Sequence, residues 1–381
     1  MQKSTISSAD FADTKPHYEL LDGLRGVAAI LVLFYHIFEG FSFAQITNQA
    51  GDGLIRIFNH GYLAVDFFFL LSGFVINYAY NDRWDKLTTR KFFSRRLIRL
   101  HPMLIMGAFI GLVCFLIGGS QQWNGTQIPL YLSIITFLLT CFMIPALPNS
   151  FNEIRGNGEL FPLNGPMWSL FFEYIGNILY ALFIRRLNTK RLTIVVIFLF
   201  IAHSIFTIGN LSGYGTIGVG WTFDSVNFFG GMMRMLFPFS LGMLISRRFK
   251  AIKISYPFLL SSILLIVIFC VPYLAPIKDI NFNGIYEEIC ITIIFPIILI
   301  IGSSSKEKPK ISTILGDLSY PLYIIHYPIM YLFYQWLIKN EHYSLATTYP
   351  VALFVVILSI VLALLLSKFY DKPLKQKLKG L

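Results

Sequence analysis

Apolar residues in this chain fall in runs of about 20 rather than in scattered periodic faces, the pattern of segments whose solvent is lipid. Runs of spanning length lie near 23–43, 60–80, 100–119, 128–147, 166–184, 192–209, 229–246, 256–275, 286–302, 318–338 and 349–368. Between them, 26 of the 31 Lys and Arg residues cluster in 1–25, 81–99, 185–191, 247–253, 306–310 and 368–379. Basic loops stay cytoplasmic, so these six stretches are expected on that side.

Alternate crossing satisfies all six only if an even number of spans separates the 81–99 loop from the 185–191 loop. Eleven crossings fail. The weakest run is 128–147, which starts after Pro129, ends in Pro145 and Pro148, and leads into the polar stretch Asn149 to Gly165. It is read as a re-entrant or buried non-spanning segment, where protein or a water-filled cavity satisfies the broken backbone. The predicted fold is therefore an all-α polytopic bundle of about ten transmembrane helices. A cytoplasmic segment, 1–22, precedes the membrane domain, 23–368, and a basic cytoplasmic tail, 369–381, follows it. Pro238, Pro296, Pro321 and Pro328 lie inside predicted helices and should kink them.

Composition agrees. Of 381 residues, 55% are hydrophobic and 13% charged, against about 25% charged in a soluble domain. The mean hydropathy is +0.64. A net charge of +11 is then a topology signal rather than a nucleic-acid footprint. Cys114, Cys141, Cys270 and Cys290 all sit in apolar runs without a CxxC, which argues against a disulfide framework or a metal site. The first apolar run is too long for a signal-peptide core and is expected to remain as a helix. Two sequons, at Asn124 and Asn210, fall in predicted outer loops. No P-loop, Rossmann fingerprint, HExxH or GxSxG is present.

Ionisable groups within apolar spans are costly and mark functional candidates. Those identified are His36, Asp66, Glu173, His203, Arg234 and His326. Arg25 lies eleven residues before His36, only about 20° out of phase and roughly 16 Å away along a helix. The two share a face and could hold the head and the reactive end of one long ligand. Arg96 and Arg99, three apart in a basic stretch with Arg95, either mark topology or grip phosphate. Asp66 and Glu173, the latter on the same face as Ser169, are structural hydrogen-bonding groups unless they converge on His36. His326 shares a face with Tyr323, where packing or interfacial anchoring is expected. His203 has no polar neighbour in sequence, and Arg234 should snorkel or meet an acceptor near the outer end of its helix.

At these residues the chain resembles membrane-bound acyltransferase family 3. The matching pieces are Leu21-Asp22-Gly23-Leu24-Arg25-Gly26 running to His36, and Asp66-Phe67-Phe68-Phe69-Leu70-Leu71-Ser72-Gly73-Phe74. Arg95-Arg96-Leu97-Ile98-Arg99-Leu100, Trp168-Ser169-Leu170-Phe171-Phe172-Glu173 and Leu318-Ser319-Tyr320-Pro321-Leu322-Tyr323 to His326 follow in the family's order. The resemblance implies a ten-helix enzyme that O-acylates a carbohydrate or glycolipid hydroxyl reached from the outer face, with cytoplasmic acyl-CoA, foremost acetyl-CoA, as donor. It places catalysis on His36 and links Arg25, Arg96 and Arg99 to function. Asp66 or Glu173 is then expected to orient His36, and Arg25, Arg95, Arg96 and Arg99 to bind the donor. Ser72, Trp168, Ser169, Tyr323 and His326 become candidate substrate contacts. The implied location is the inner membrane of a bacterium, with both termini cytoplasmic.

His101 departs from the Tyr that members commonly carry before the proline. Some relatives append an extracytoplasmic hydrolase-like domain, whereas this sequence stops at a short basic tail, so any second catalytic unit is expected to be a separate protein or unnecessary. His36 acts either as a general base on the acceptor hydroxyl or through an acyl-histidine. The rival readings are a transporter or flippase of a lipid-linked glycan, with Arg25 on phosphate and His36 relaying protons, and a noncatalytic membrane scaffold.

Overall fold

A computed structural model describes residues 17–43, 57–305, 309–340 and 344–379. The described residues are helical, and their extended pairings are limited to isolated bridges. In chain order the helices are α1 (Glu19–Phe43), α2 (Ala64–Tyr80), α3 (Thr89–Ile117), α4 (Leu130–Cys141), α5 (Met167–Leu182), α6 (Thr189–Ile208) and α7 (Ser225–Arg248). There follow α8 (Pro257–Cys270), α9 (Phe282–Ile289), α10 (Phe295–Ser304), α11 (Lys310–Lys339), α12 (Leu345–Leu366) and α13 (Lys372–Lys379). A π-helical turn, Cys290–Ile294, joins α9 to α10, and a second, Ser367–Asp371, joins α12 to α13.

Among the described residues, eight helices are long and apolar enough to cross a bilayer: α1, α2, α3, α5, α6, α7, the α9–α10 rod and the α12–α13 rod. Their outer positions carry side chains such as Phe109, Ile194, Phe198, Ile205 and Phe354, each more than half exposed to what would be lipid. α11 has 30 residues, about 45 Å of helix, yet is too polar to qualify. Its position explains this: it packs against α1, α3 and α12 inside the bundle, where neighbours rather than lipid meet its polar groups.

α4 has 12 residues and rises about 18 Å, too little for a hydrocarbon core of about 30 Å. It turns Ser133, Thr136 and Thr140 inward and leaves Leu130, Tyr131 and Leu138 exposed. It is therefore a short helix with a lipid-facing side rather than a segment enclosed by protein. The Thr136 and Thr140 hydroxyls donate to the carbonyls four residues back, both at 2.8 Å, which satisfies them without a partner helix. α8, with 14 residues, is also short of a full crossing.

Two boundaries differ from the sequence reading. α3 starts at Thr89, capped by the Thr88 hydroxyl accepting from Lys91 N at 3.2 Å, so Arg95, Arg96 and Arg99 lie on a helix rather than in a loop. The basic tail is also helical, because α12 continues through its π-turn into α13.

The site is framed by two tight crossings. α1 runs along α11, and α2 along α7. At the second crossing Gly73 meets the Phe239 carbonyl and Gly242 the Leu70 carbonyl so closely that neither position has room for a Cβ. Such small-residue contacts let membrane helices approach backbone to backbone.

Candidate active site

The α1–α11 contact brings two histidines from opposite ends of the sequence together. His36 Nδ1 is 2.8 Å from His326 Nε2, and His326 Nδ1 is 2.9 Å from the Leu322 carbonyl oxygen. A carbonyl only accepts, so His326 Nδ1 carries the proton and, in the neutral ring, its Nε2 accepts. His36 Nδ1 must then donate, leaving His36 Nε2 with a free lone pair. The side chain of His326 is fully buried, which preserves this order.

His36 lines a cavity of about 300 Å³. Glu39 Oε2 lies 3.9 Å from His36 Nε2, held by the hydroxyls of Tyr327 at 3.2 Å and Tyr334 at 3.1 Å. The Tyr334 hydroxyl also reaches the His36 carbonyl at 2.6 Å. Across the cavity Glu159 accepts from Tyr331 at 2.5 Å. Burial pushes its carboxyl up to about 7, against the lowering effects of the Tyr331 bond and the Arg155 charge. Trp123, Trp168 and Trp221 supply broad apolar faces beside these polar groups.

A second cavity of about 480 Å³ lies on the other side of Val65 and Tyr323, which line both. The Tyr323 hydroxyl is 2.7 Å from Ser169 Oγ, which donates to the Pro166 carbonyl at 2.9 Å. That order makes Tyr323 the donor to Ser169. Arg25, Arg96 and Arg99 face this second cavity. Arg25 pairs with Asp22 at 2.5 Å, and Arg96 with Glu173 at 2.7 Å. Ser72 donates to the same Glu173 oxygen at 2.9 Å. Among the described residues no carboxylate pairs with Arg99.

Several expectations change. Neither Asp66 nor Glu173 is bonded to His36. Asp66 is fully buried and accepts from Arg234 Nε at 3.0 Å and Nη2 at 2.7 Å, while Glu173 serves Arg96 and Ser72. Arg234 does not snorkel: it also donates to the carbonyls of Val219 and Tyr62, at 2.9 and 2.8 Å, tying the segment between α6 and α7 to the bundle. His326 does not anchor at an interface; it holds His36. His203 has polar company after all, with Nδ1 2.7 Å from Glu288 Oε2, and Ser204 bonded to the same carboxylate at 2.8 Å.

The structure divides the other candidates between the cavities. Trp168 faces the cavity lined by His36, Ser72 and Ser169 the second, and Tyr323 both. Arg95 faces neither, because one residue step turns it about 100° from Arg96. His101 also faces neither cavity; its Nδ1 is 3.2 Å from the Tyr174 hydroxyl. The sequence reading overlooked Glu39, Glu159 and the tyrosines that hold them. A signal existed, since Tyr320, Tyr323, Tyr327, Tyr331 and Tyr334 recur at spacings of three and four along one helix face.

The fold defines an integral membrane protein with a polar interior, and comparison with known proteins gives its class. The chain belongs to the acyltransferase family whose conserved unit is described as an acyltransferase domain, matched over residues 18–368. Protein 2 in the picA locus of Rhizobium radiobacter is 31% identical over 183 residues, covering 46% of this chain and 87% of that protein. Acyltransferase MdmB of Streptomyces mycarofaciens is 30% identical over 181 residues, 45% of this chain and 41% of the relative. Peptidoglycan O-acetyltransferase OatA of Listeria monocytogenes is 35% identical over 85 residues, 22% of this chain and 11% of the relative. The match thus spans most of the first relative but less than half of the other two. No solved structure matches the chain.

Proposed function

We propose that this acyltransferase moves an acyl group, foremost acetyl, from acyl-CoA to a hydroxyl of a carbohydrate or glycolipid acceptor. The observation that carries the reading is the pair of cavities meeting at Tyr323 and Val65, with a free imidazole nitrogen in one and guanidinium groups in the other. Arg25, Arg96 and Arg99 suit the CoA diphosphate, since guanidinium forks match phosphate oxygens. The pantetheine arm is long enough to carry a thioester from that cavity towards His36. Aromatic faces with carboxylates at their edge suit a sugar ring and its hydroxyls. The grouping of 26 of 31 basic residues supports a cytoplasmic donor cavity, cytoplasmic termini and an acceptor arriving from outside. A bacterial inner membrane fits this arrangement.

His36 Nε2 takes the acceptor hydroxyl proton as the oxygen attacks the thioester carbonyl. The C–O bond forms, the C–S bond breaks, and the imidazolium returns the proton to the thiolate, giving ester and free CoA. His326, accepting from His36 Nδ1, stabilises the tautomer this needs. Glu39 stands 3.9 Å from the same nitrogen, placed to favour the imidazolium as it forms.

The test uses detergent-purified protein with no membrane gradient. Acceptor-dependent release of CoA from acetyl-CoA, abolished in His36→Ala while CoA binding persists, is the expected result. Normal transfer by a folded His36→Ala protein would reject the base assignment. Absence of any transfer by the folded wild-type protein, with glycan export in cells dependent on it, would favour a flippase.

A further inference from the structure

The second cavity holds more positive charge than the motif arginines supply. α13 contributes Lys372, Lys375 and Lys379 to the lining that Arg25, Arg96 and Arg99 share. On a helix these three lysines fall within an arc of about 60°, whereas Lys377 points well away. Lys377 is correspondingly not part of the cavity. The six cations outnumber the four carboxylates that share the lining, Asp22, Glu173, Asp317 and Asp371.

The cations also differ in depth. The side chains of Arg25 and Arg96 are 14% and 5% exposed, while that of Lys372 is 50% exposed and Lys379 is open to solvent. Lys375 is 22% exposed and Arg99 is open to solvent, so the lining grades from Arg25 and Arg96 in the interior to Arg99, Lys372 and Lys379 at the mouth. Lys372 Nζ is 2.5 Å from Asp317 Oδ2, and Lys375 Nζ 2.6 Å from Asp371 Oδ2. An ammonium has three donors, so each lysine can keep its carboxylate and still bond a phosphate. α13 continues a long membrane helix through a π-turn, so the lysines are presented from a helix, which lowers the entropic cost of holding them at the cavity.

Resting on the donor reading above, we propose that Lys372, Lys375 and Lys379 form a phosphomonoester subsite for the 3′-phosphate of CoA, with the diphosphate on the arginines, of which Arg25 and Arg96 lie deepest. The order from the buried Arg25 and Arg96 to the lysines at the mouth then follows the order of diphosphate and 3′-phosphate along the donor. The enzyme should select CoA thioesters over the same thioesters lacking the 3′-phosphate. The competing roles for these lysines are a clamp that only fastens α13 to the bundle and a contact with anionic lipid headgroups.

The experiment measures affinity and KM for acetyl-CoA and acetyl-dephospho-CoA with the full chain in neutral detergent free of anionic lipid. The wild type should favour acetyl-CoA by about tenfold or more, the value of one charge-assisted bond. Lys372→Gln/Lys375→Gln/Lys379→Gln should bring the ratio close to one by weakening acetyl-CoA alone. Lys379→Gln breaks no ion pair among the described residues and should reduce the ratio in a folded protein even if the triple variant is unstable. Lys377→Gln should leave the ratio unchanged. Equal wild-type affinities, an undiminished ratio in the Lys379 and triple variants, or equal weakening of both thioesters would overturn the subsite. Failure of the wild type to bind either thioester would instead refute the donor reading, and the subsite with it.

Discussion

His36 Nδ1 and His326 Nε2 lie 2.8 Å apart, and the Leu322 carbonyl beyond His326 dictates which of the two nitrogens carries the proton. The pair makes His326 a positioning residue, since it faces neither cavity. His326→Ala would free His36 to take the other tautomer, which presents N–H rather than a lone pair. The transfer rate should then drop by about 10²–10⁴, the range of a general-base contribution, with donor affinity unchanged. His326→Gln offers a carbonyl oxygen as acceptor and should recover part of the rate. Paired measurements of CoA binding and turnover on each variant check this; full turnover in His326→Ala would remove His326 from the mechanism.

Asp66 and Arg234 make a two-point ion pair whose side chains are 0% and 1% exposed. Removing one partner of such a pair costs about 3–5 kcal/mol, because the other charge stays buried and unpaired. Asp66→Asn should therefore lower the unfolding temperature markedly. Arg234→Lys should not restore it, since an ammonium cannot make the same fork or reach both carbonyls. Thermal unfolding in detergent reads this directly. A stable Asp66→Asn protein that lost only turnover would return Asp66 to a role beside His36.

The membrane class was legible because lipid imposes long apolar runs, and the shared face of Arg25 and His36 followed from helical phase alone. The partners of those residues were not legible. Which carboxylate meets which base depends on how helices dock, so Asp66 and Glu173, both next to motif residues, went to Arg234 and Arg96 instead. His326 was undervalued because 290 positions separate it from His36. Glu287 and Glu288 were overlooked because they stand at the start of an apolar run, where charge suggests a rim. The fold buries both, against the Ile217 amide and Tyr62 in one case and His203 in the other.

The α2–α7 crossing depends on Gly73 and Gly242, each facing a backbone carbonyl of the other helix. Backbone cannot move aside as a flexible side chain can, so Gly73→Ala must separate the helices and loosen contacts around the nearby Asp66–Arg234 pair. A loss of about 1–3 kcal/mol is expected from such overpacking, with Gly73→Ala and Gly242→Ala less than additive because they disrupt one interface. Unfolding midpoints of the single and double variants provide the measurement. Wild-type stability in both singles would mean that the crossing is looser than the structure has it.

Tyr323 separates the two cavities, with its ring beside Val65 and its hydroxyl bonded to Ser169. A wall at that place has a chemical purpose in a group-transfer enzyme. A thioester reaching a general base in the presence of free water would be hydrolysed, so transfer to the acceptor depends on keeping water from the path. Tyr323→Ala should open the cavities to one another and raise CoA release in the absence of acceptor, while acceptor-dependent ester formation declines. Tyr323→Phe keeps the ring and loses only the hydroxyl's bonds to Ser169 and the Pro166 carbonyl, so its acceptor-free hydrolysis should stay close to wild type. The assay is thiol release with and without acceptor, on the same preparations. Unchanged acceptor-free hydrolysis in a folded Tyr323→Ala protein would show that the ring does not exclude water, whereas equal leakage in Tyr323→Phe would transfer that role from the ring to its hydrogen bond.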